Sequence, residues 1–193
     1  MNEEKKRSFR IFCAIELPVE IRAKIEKHIQ ALRKAVPECH ASWSRVENIH
    51  LTIKFFGNVE QDRIQLISSV ATRVVREFRP FEISVGQTGV FPKLSQPRVL
   101  WIGVKDTKGM LAELQQRFED ECAAIGFEKE VREFKPHLTV ARTRKPEGAR
   151  ALAEANQMMG FASETFLVNE LVVFRSEPGG QGSKYTAMSR HKF

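Results

Sequence analysis

The chain has 193 residues, long enough to bury a full core, and its 42% hydrophobic and 28% charged fractions exclude a disordered or fibrous polymer. Lys and Arg number 31 against 24 Asp and Glu, and the net charge of +7 favours an anionic partner, nucleic acid first. Three scattered cysteines without a CxxC pair exclude a disulfide framework, and no apolar run reaches the length of a membrane span or a secretory core, so a cytoplasmic protein is expected.

A charged leader, expected to be disordered, runs into a predicted strand over Phe9–Leu17. Pro18 suits a first helical turn, and Ile21, Ile25, Ile29, Leu32 and Val36 recur at the spacing of an amphipathic helix over Val19–Ala35. Glu38–Glu47 is expected as a loop carrying His40 and Trp43. It leads into a strand around Asn48-Ile49-His50-Leu51-Thr52-Ile53-Lys54-Phe55-Phe56, closed by Gly57 and Asn58. A helix over Glu60–Phe78 and a strand over Phe81–Phe91 follow, then a turn over Pro92–Pro97.

The order then repeats. Arg98–Lys105 reads as a strand, and Thr107 as the cap of a helix over Lys108–Ile125 that Gly126 ends. A second motif strand begins at Lys135-Pro136-His137-Leu138-Thr139-Val140-Ala141-Arg142. A helix over Pro146–Met159, one long strand over Glu164–Ser176, a Gly-rich turn over Gly179–Ser183 and a last strand over Tyr185–Phe193 complete the chain. The expected fold is α+β: two pseudo-symmetric lobes, each a mainly antiparallel sheet backed by helices, facing across a central cleft. It reads as a single domain over residues 1–193 with an internal duplication of roughly 9–91 and 98–193.

The chemistry lies in the repeated His-Leu-Thr-aliphatic motif. Strand alternation puts His50 and Thr52 on one face and Leu51 and Ile53 on the other, and His137 and Thr139 stand in the same relation to Leu138 and Val140. Only five histidines occur in the chain, so two in matched settings stand out. If the strands adjoin, two imidazoles and two hydroxyls share one cleft. An imidazole near neutrality either gives or takes a proton, so the pair suits one general acid and one general base. The hydroxyls, with Arg142 as a fixed fork, suit the oxygens of a phosphoryl group. Phosphodiester cleavage without a metal or other cofactor is the reaction class that fits. A catalytic zinc site wants three protein ligands and no third one recurs, while Cys13, Cys39 and Cys122 fall at apolar positions unsuited to a nucleophile.

These residues and their flanks resemble the two-histidine phosphoesterases, and within them the RNA 2',3'-cyclic phosphodiesterases, once called 2'-5' RNA ligases. The resemblance runs through Arg10–Ile15, Trp43–Gly57, Gly89–Pro92, Pro97–Trp101, Phe134–Arg142, Arg175-Ser176 and Tyr185, nearly the whole chain. It implies hydrolysis of an RNA 2',3'-cyclic phosphate to a 2'-phosphomonoester, with the reverse joining through a 2',5' bond as a companion reaction. By that analogy His50 is the proton donor to the leaving 3' oxygen, and His137 the proton acceptor that activates water. Thr52, Thr139 and Arg142 hold the phosphate. The partner is RNA ending in a 2',3'-cyclic phosphate, or a related nucleotide, and the enzyme is expected to be a monomer without an obligate protein partner. The hairpin Glu177-Pro178-Gly179-Gly180-Gln181-Gly182 departs from the family's Ser-x-Leu-x-Pro-x-Gly pattern, which bears on substrate preference.

Plainer readings accompany these. Trp43 and Phe56 are candidate base-stacking residues, though tryptophan before a strand packs in a core as often, and one of Phe55 and Phe56 must face the core. Lys54 shares the strand face of His50 and Thr52, but a solvated lysine is the simpler account. Arg144 and Lys145 read as surface, Arg175 and Tyr185 as weak candidates, and His28, His40 and His191 as bystanders. Two other functions remain open: a non-catalytic nucleotide- or RNA-binding module, which has no need of two titratable imidazoles, and a phosphodiesterase for another cyclic nucleotide phosphate.

Overall fold

The chain order of elements is β1 (Ser8–Glu16), α1 (Val19–Ala35), β2 (Ala41–Trp43), β3 (His50–Glu60), α2 (Ile64–Val75), β4 (Phe81–Lys93), β5 (Gln96–Lys105), α3 (Met110–Ala124), β6 (His137–Thr143), α4 (Ala149–Met159), β7 (Glu164–Val168), β8 (Glu170–Gly179) and β9 (Gly182–Lys192). This computed structural model describes residues 7–180 and 182–193. Most of the expected leader, and Gln181 of the expected Gly-rich turn, lie outside the described residues.

Two antiparallel sheets result, one ordered β3-β1-β8-β9 and the other β2-β6-β5-β4-β7. The α+β fold with sheets backed by helices is therefore as expected, but sheet membership does not follow the division into 9–91 and 98–193. β4 of the first half pairs with β5, and β8 of the second pairs with β1. Each half thus lends two strands to the other's sheet, β2 and β4 one way and β8 and β9 the other. The cause is local: only Leu94 and Ser95 separate β4 from β5, and so short a connection makes antiparallel neighbours. Helices α2 and α3 adjoin each other and the first sheet, whereas α4 packs on β4 and β5 with α1 beside it.

Several boundaries differ from expectation. The Glu38–Glu47 loop contains β2, whose Trp43 pairs with Ala141 of β6. β3 continues past Gly57 and Asn58 to Glu60, because Gly57 at φ +71 forms a bulge opposite β1 and not a turn. The N-cap residue of α3 is Gly109, and the first-turn donors are met from Asp106, whose Oδ2 accepts the backbone N–H of Leu111 at 2.8 Å and of Ala112 at 3.2 Å; Thr107 makes neither bond. The run Glu164–Ser176 is two strands in different sheets, broken at Asn169. Apolar residues recur on both sides of the break, and a hydrophobic pattern carries no information about which neighbour a strand pairs with.

One contiguous apolar cluster joins the two halves. Ile11, Cys13 and Ile15 of β1, Leu51 and Ile53 of β3, Leu100 and Ile102 of β5, and Leu138 and Val140 of β6 all bury their side chains in it with the helix faces. The other face of β1 carries a small separate cluster, Phe12 and Ala14 with Val172 and Phe174 of β8. On the corresponding face of the second sheet, Trp101 lies across Gly89. A β-carbon added at Gly89 would stand 2.2 Å from the Trp101 ring, and Trp101 is paired with Thr139 on its other side. Gly89→Ala is therefore expected to cost about 1–3 kcal/mol in urea unfolding and to crowd the second motif.

Candidate active site

His50, Thr52, His137, Thr139 and Arg142 all line one cleft of about 950 Å³. Plain alternation turns each histidine and its threonine to the cleft, and a matched β-bulge in each strand decides which later side chains join them. In β3, Ala14 faces Thr52 but Cys13 faces Lys54, leaving Ile53 unopposed. In β6, Trp101 faces Thr139 but Leu100 faces Ala141, leaving Val140 unopposed. Each extra residue reverses the alternation that follows it. Arg142 stands five residues past His137, an odd step that plain alternation would turn to the opposite face. The bulge at Val140 returns it to the cleft.

The same reversal in β3 corrects two expectations. Lys54 does not share the face of His50; it is 4% exposed, and its Nζ donates to Glu119 Oε2 at 2.5 Å and to the Glu128 carbonyl at 2.8 Å. Phe56 does not stack in the cleft either, because its ring packs edge-on against Phe127 at 5.1 Å and Phe118 at 6.1 Å. Phe55 is the aromatic that lines the cleft, 66% exposed, five residues after His50 as Arg142 is five after His137. Trp43 lies outside the cleft lining, packed against the core with the Arg33 guanidinium 5.2 Å over its ring. Its register opposite Ala141 sets it on the apolar face of β6.

Both histidines are held in one way. His50 Nδ1 lies 2.7 Å from the Asn48 carbonyl, and His137 Nδ1 lies 2.7 Å from the Lys135 carbonyl. A carbonyl only accepts, so Nδ1 carries the proton and each ring turns Nε2 outward. This partner is the backbone two residues upstream, so no side-chain pattern advertises it. Asn48 also donates through Nδ2 to the Ser183 carbonyl at 2.7 Å, which ties the β8–β9 hairpin to the first motif. Tyr185 of that hairpin lines the cleft and stands edge-on to His50 at 5.3 Å.

Their surroundings differ. His50 stacks on Phe12 at 4.7 Å, next to Phe174, and burial lowers its pKa from 6.5 to about 4 despite the Asn48 carbonyl and Glu16. His137 meets Phe91 edge-on at 5.0 Å, and burial, then the nearby Arg142 charge, lowers its pKa against the Lys135 carbonyl. Among the described residues no carboxylate pairs with Arg142, so its charge is available to an anion. Lys135 and Arg132, also in the lining, are paired with Glu133 and Glu130.

Other candidates fall away from the cleft. Arg175 lies 4.1 Å over the Phe9 ring and pairs with Glu177. His28 is buried against Asn156 Oδ1 at 2.8 Å, and His191 against Thr72 and Ser189. Cys13, Cys39 and Cys122 are buried, and burial raises the pKa of each. Among the described residues no group of three or more His, Cys, Asp or Glu side chains is arranged to hold a metal, and no helix is long and apolar enough to cross a membrane.

A profile of the 2'-5' RNA ligase superfamily matches residues 21–180. The RNA 2',3'-cyclic phosphodiesterase of Methanothermobacter thermautotrophicus is 33% identical over 180 residues, spanning 93% of this chain and 96% of that one. The protein of the same name from Archaeoglobus fulgidus is 32% identical over 173 residues, spanning 86% and 88%. The crystal structure of E. coli LigT complexed with 3'-AMP superposes with a TM-score of 0.78 at 25% identity, covering 97% of this chain and 99% of that one. The chain belongs to the 2'-5' RNA ligase superfamily.

Because burial holds His50 neutral in the free protein, its contribution to stability is complete above about pH 6.5 and is lost as pH falls through about 4. The unfolding free energy in urea is expected to drop by up to about 3 kcal/mol from this group between pH 7 and 4, with a shallower slope in His50→Gln. Proton NMR of the His50 ring, followed over the same range, gives the midpoint directly.

Proposed function

We propose that this protein hydrolyses the 2',3'-cyclic phosphate at an RNA end to a 2'-phosphomonoester, with His50 as the acid and His137 as the base. The observation that carries this reading is the paired presentation of two imidazoles. Each has its Nδ1 occupied by a backbone carbonyl and its Nε2 turned to one cleft, beside a threonine of its own strand. The names of the relatives support the substrate, and the resemblance of the first motif supports the assignment of acid and base.

In the proposed reaction His137 Nε2 takes a proton from water as the water oxygen attacks phosphorus. The bond from phosphorus to the 3' oxygen breaks, and His50 Nε2–H protonates that oxygen. Thr52 and Thr139 donate to the non-bridging oxygens, and Arg142 balances the charge developing on them. A 5'-hydroxyl in the place of water yields a 2',5' bond by the same transfers. The acid needs a proton that burial withholds from His50 in the free protein. An anionic phosphate at Nε2 supplies the opposite charge that restores it, so substrate arrival and protonation are coupled. Phe55 offers the terminal base a ring to stack on, opposite Arg142 in the repeated pattern.

Incubation with a 2',3'-cyclic-phosphate oligonucleotide in EDTA is expected to yield a 2'-phosphate end; no product under those conditions refutes the reading. His50→Ala and His137→Ala should each lower kcat by roughly a hundred- to ten-thousandfold. The profile of kcat/KM should peak below pH 6.5, because both free-enzyme histidines titrate below that value. Phe55→Ala should raise KM by about tenfold with little change in kcat, whereas Phe56→Ala should act on the melting temperature, by about 3 kcal/mol of stability.

A further inference from the structure

The bulge at Ile53 sends Lys54 away from the phosphate side and into a tight polar knot. Its ammonium meets Glu119 Oε2 at 2.5 Å and the carbonyl of Glu128 at 2.8 Å, with both side chains almost wholly buried. The same Glu119 oxygen accepts the backbone N–H of Glu130 at 3.3 Å, and Gln115 Nε2 holds the other oxygen at 3.3 Å. Residues 128 and 130 open the segment that leads into β6. That segment contributes Glu130, Arg132, Glu133, Phe134 and Lys135 to the cleft wall. It ends on the Lys135 carbonyl that sets the tautomer of His137.

A buried ion pair is a poor device for stability, because removing two charges from water offsets most of their attraction. This pair does something an apolar pair cannot, since it binds two backbone groups of an otherwise irregular segment. We propose that Lys54, through Glu119, is a positioning residue for His137. It clamps residues 128–130 and so fixes the course of the chain that brings the Lys135 carbonyl onto Nδ1. A residue on the strand of the first histidine thereby orients the second. The inference rests on the phosphodiesterase reading for its kinetic consequence and on geometry alone for its effect on the ring.

The test is the double variant Lys54→Met/Glu119→Leu, which replaces the pair by apolar side chains of similar size and is the kind of exchange buried pairs tolerate. Its expected properties are a melting temperature close to the parent's, a dissociation constant for 2'-AMP within about threefold, and kcat lower by about ten- to a hundredfold. Nitrogen-15 NMR should show the His137 ring losing its single Nδ1–H tautomer while the His50 signals stay in place. A folded double variant with the parent's kcat and His137 signals overturns the proposal. If the double variant does not fold, Glu119→Gln keeps the shape and weakens the clamp, and unchanged His137 signals there overturn it equally. Absence of turnover in the parent would sink the phosphodiesterase reading instead, and the His137 ring signals would still decide the positioning role.

Discussion

A strand shows successive side chains to opposite faces, and a break in that rule within each motif decides which side chains join the histidines and threonines of this cleft. The unopposed residues Ile53 and Val140 break it at matched points. Ahead of each bulge stand a histidine and a threonine on the cleft face, and beyond it the faces exchange. Arg142 and Phe55 are thereby delivered to the cleft, while Phe56 is withdrawn from it and Lys54 is buried in its wall.

The cleft is symmetric in its backbone and asymmetric in its surroundings. Both rings use the carbonyl two residues upstream, so both present Nε2. Phe12 and Phe174 dry the first ring, and Phe91 with Arg142 shapes the second. Five residues after the first histidine stands an aromatic ring and five after the second a guanidinium, so one wall is suited to a base and the other to a charge. Matched backbone settings with different neighbours thus place the two imidazoles in different electrostatic surroundings.

Much of the fold was legible in the residues. The period of Ile21, Ile25, Ile29 and Leu32 marks α1 to its ends, and the matched motifs mark β3 and β6. The His50 and His137 pairing, both threonines and Arg142 could be read from residue types and spacing, and all five line the cleft. The exchange of β4 and β8 between sheets could not, because a strand's hydrophobic pattern names a buried face and never a partner. Phe55 was passed over for Phe56 for a related reason: two adjacent phenylalanines look alike until the register of the opposing strand counts the residues between them.

Composition and motif thus determined the class of chemistry: paired imidazoles, hydroxyls and a guanidinium in a basic chain suit a phosphodiester wherever they converge. Which side chains converge was decided only by tertiary structure. A bulge is a mismatch between two strands, and it does not exist until β1 lies against β3 and β5 against β6. The burial of His50 and the clamp on His137 follow the same logic, since each arises from segments distant in the chain that close on one another when the sheets pack.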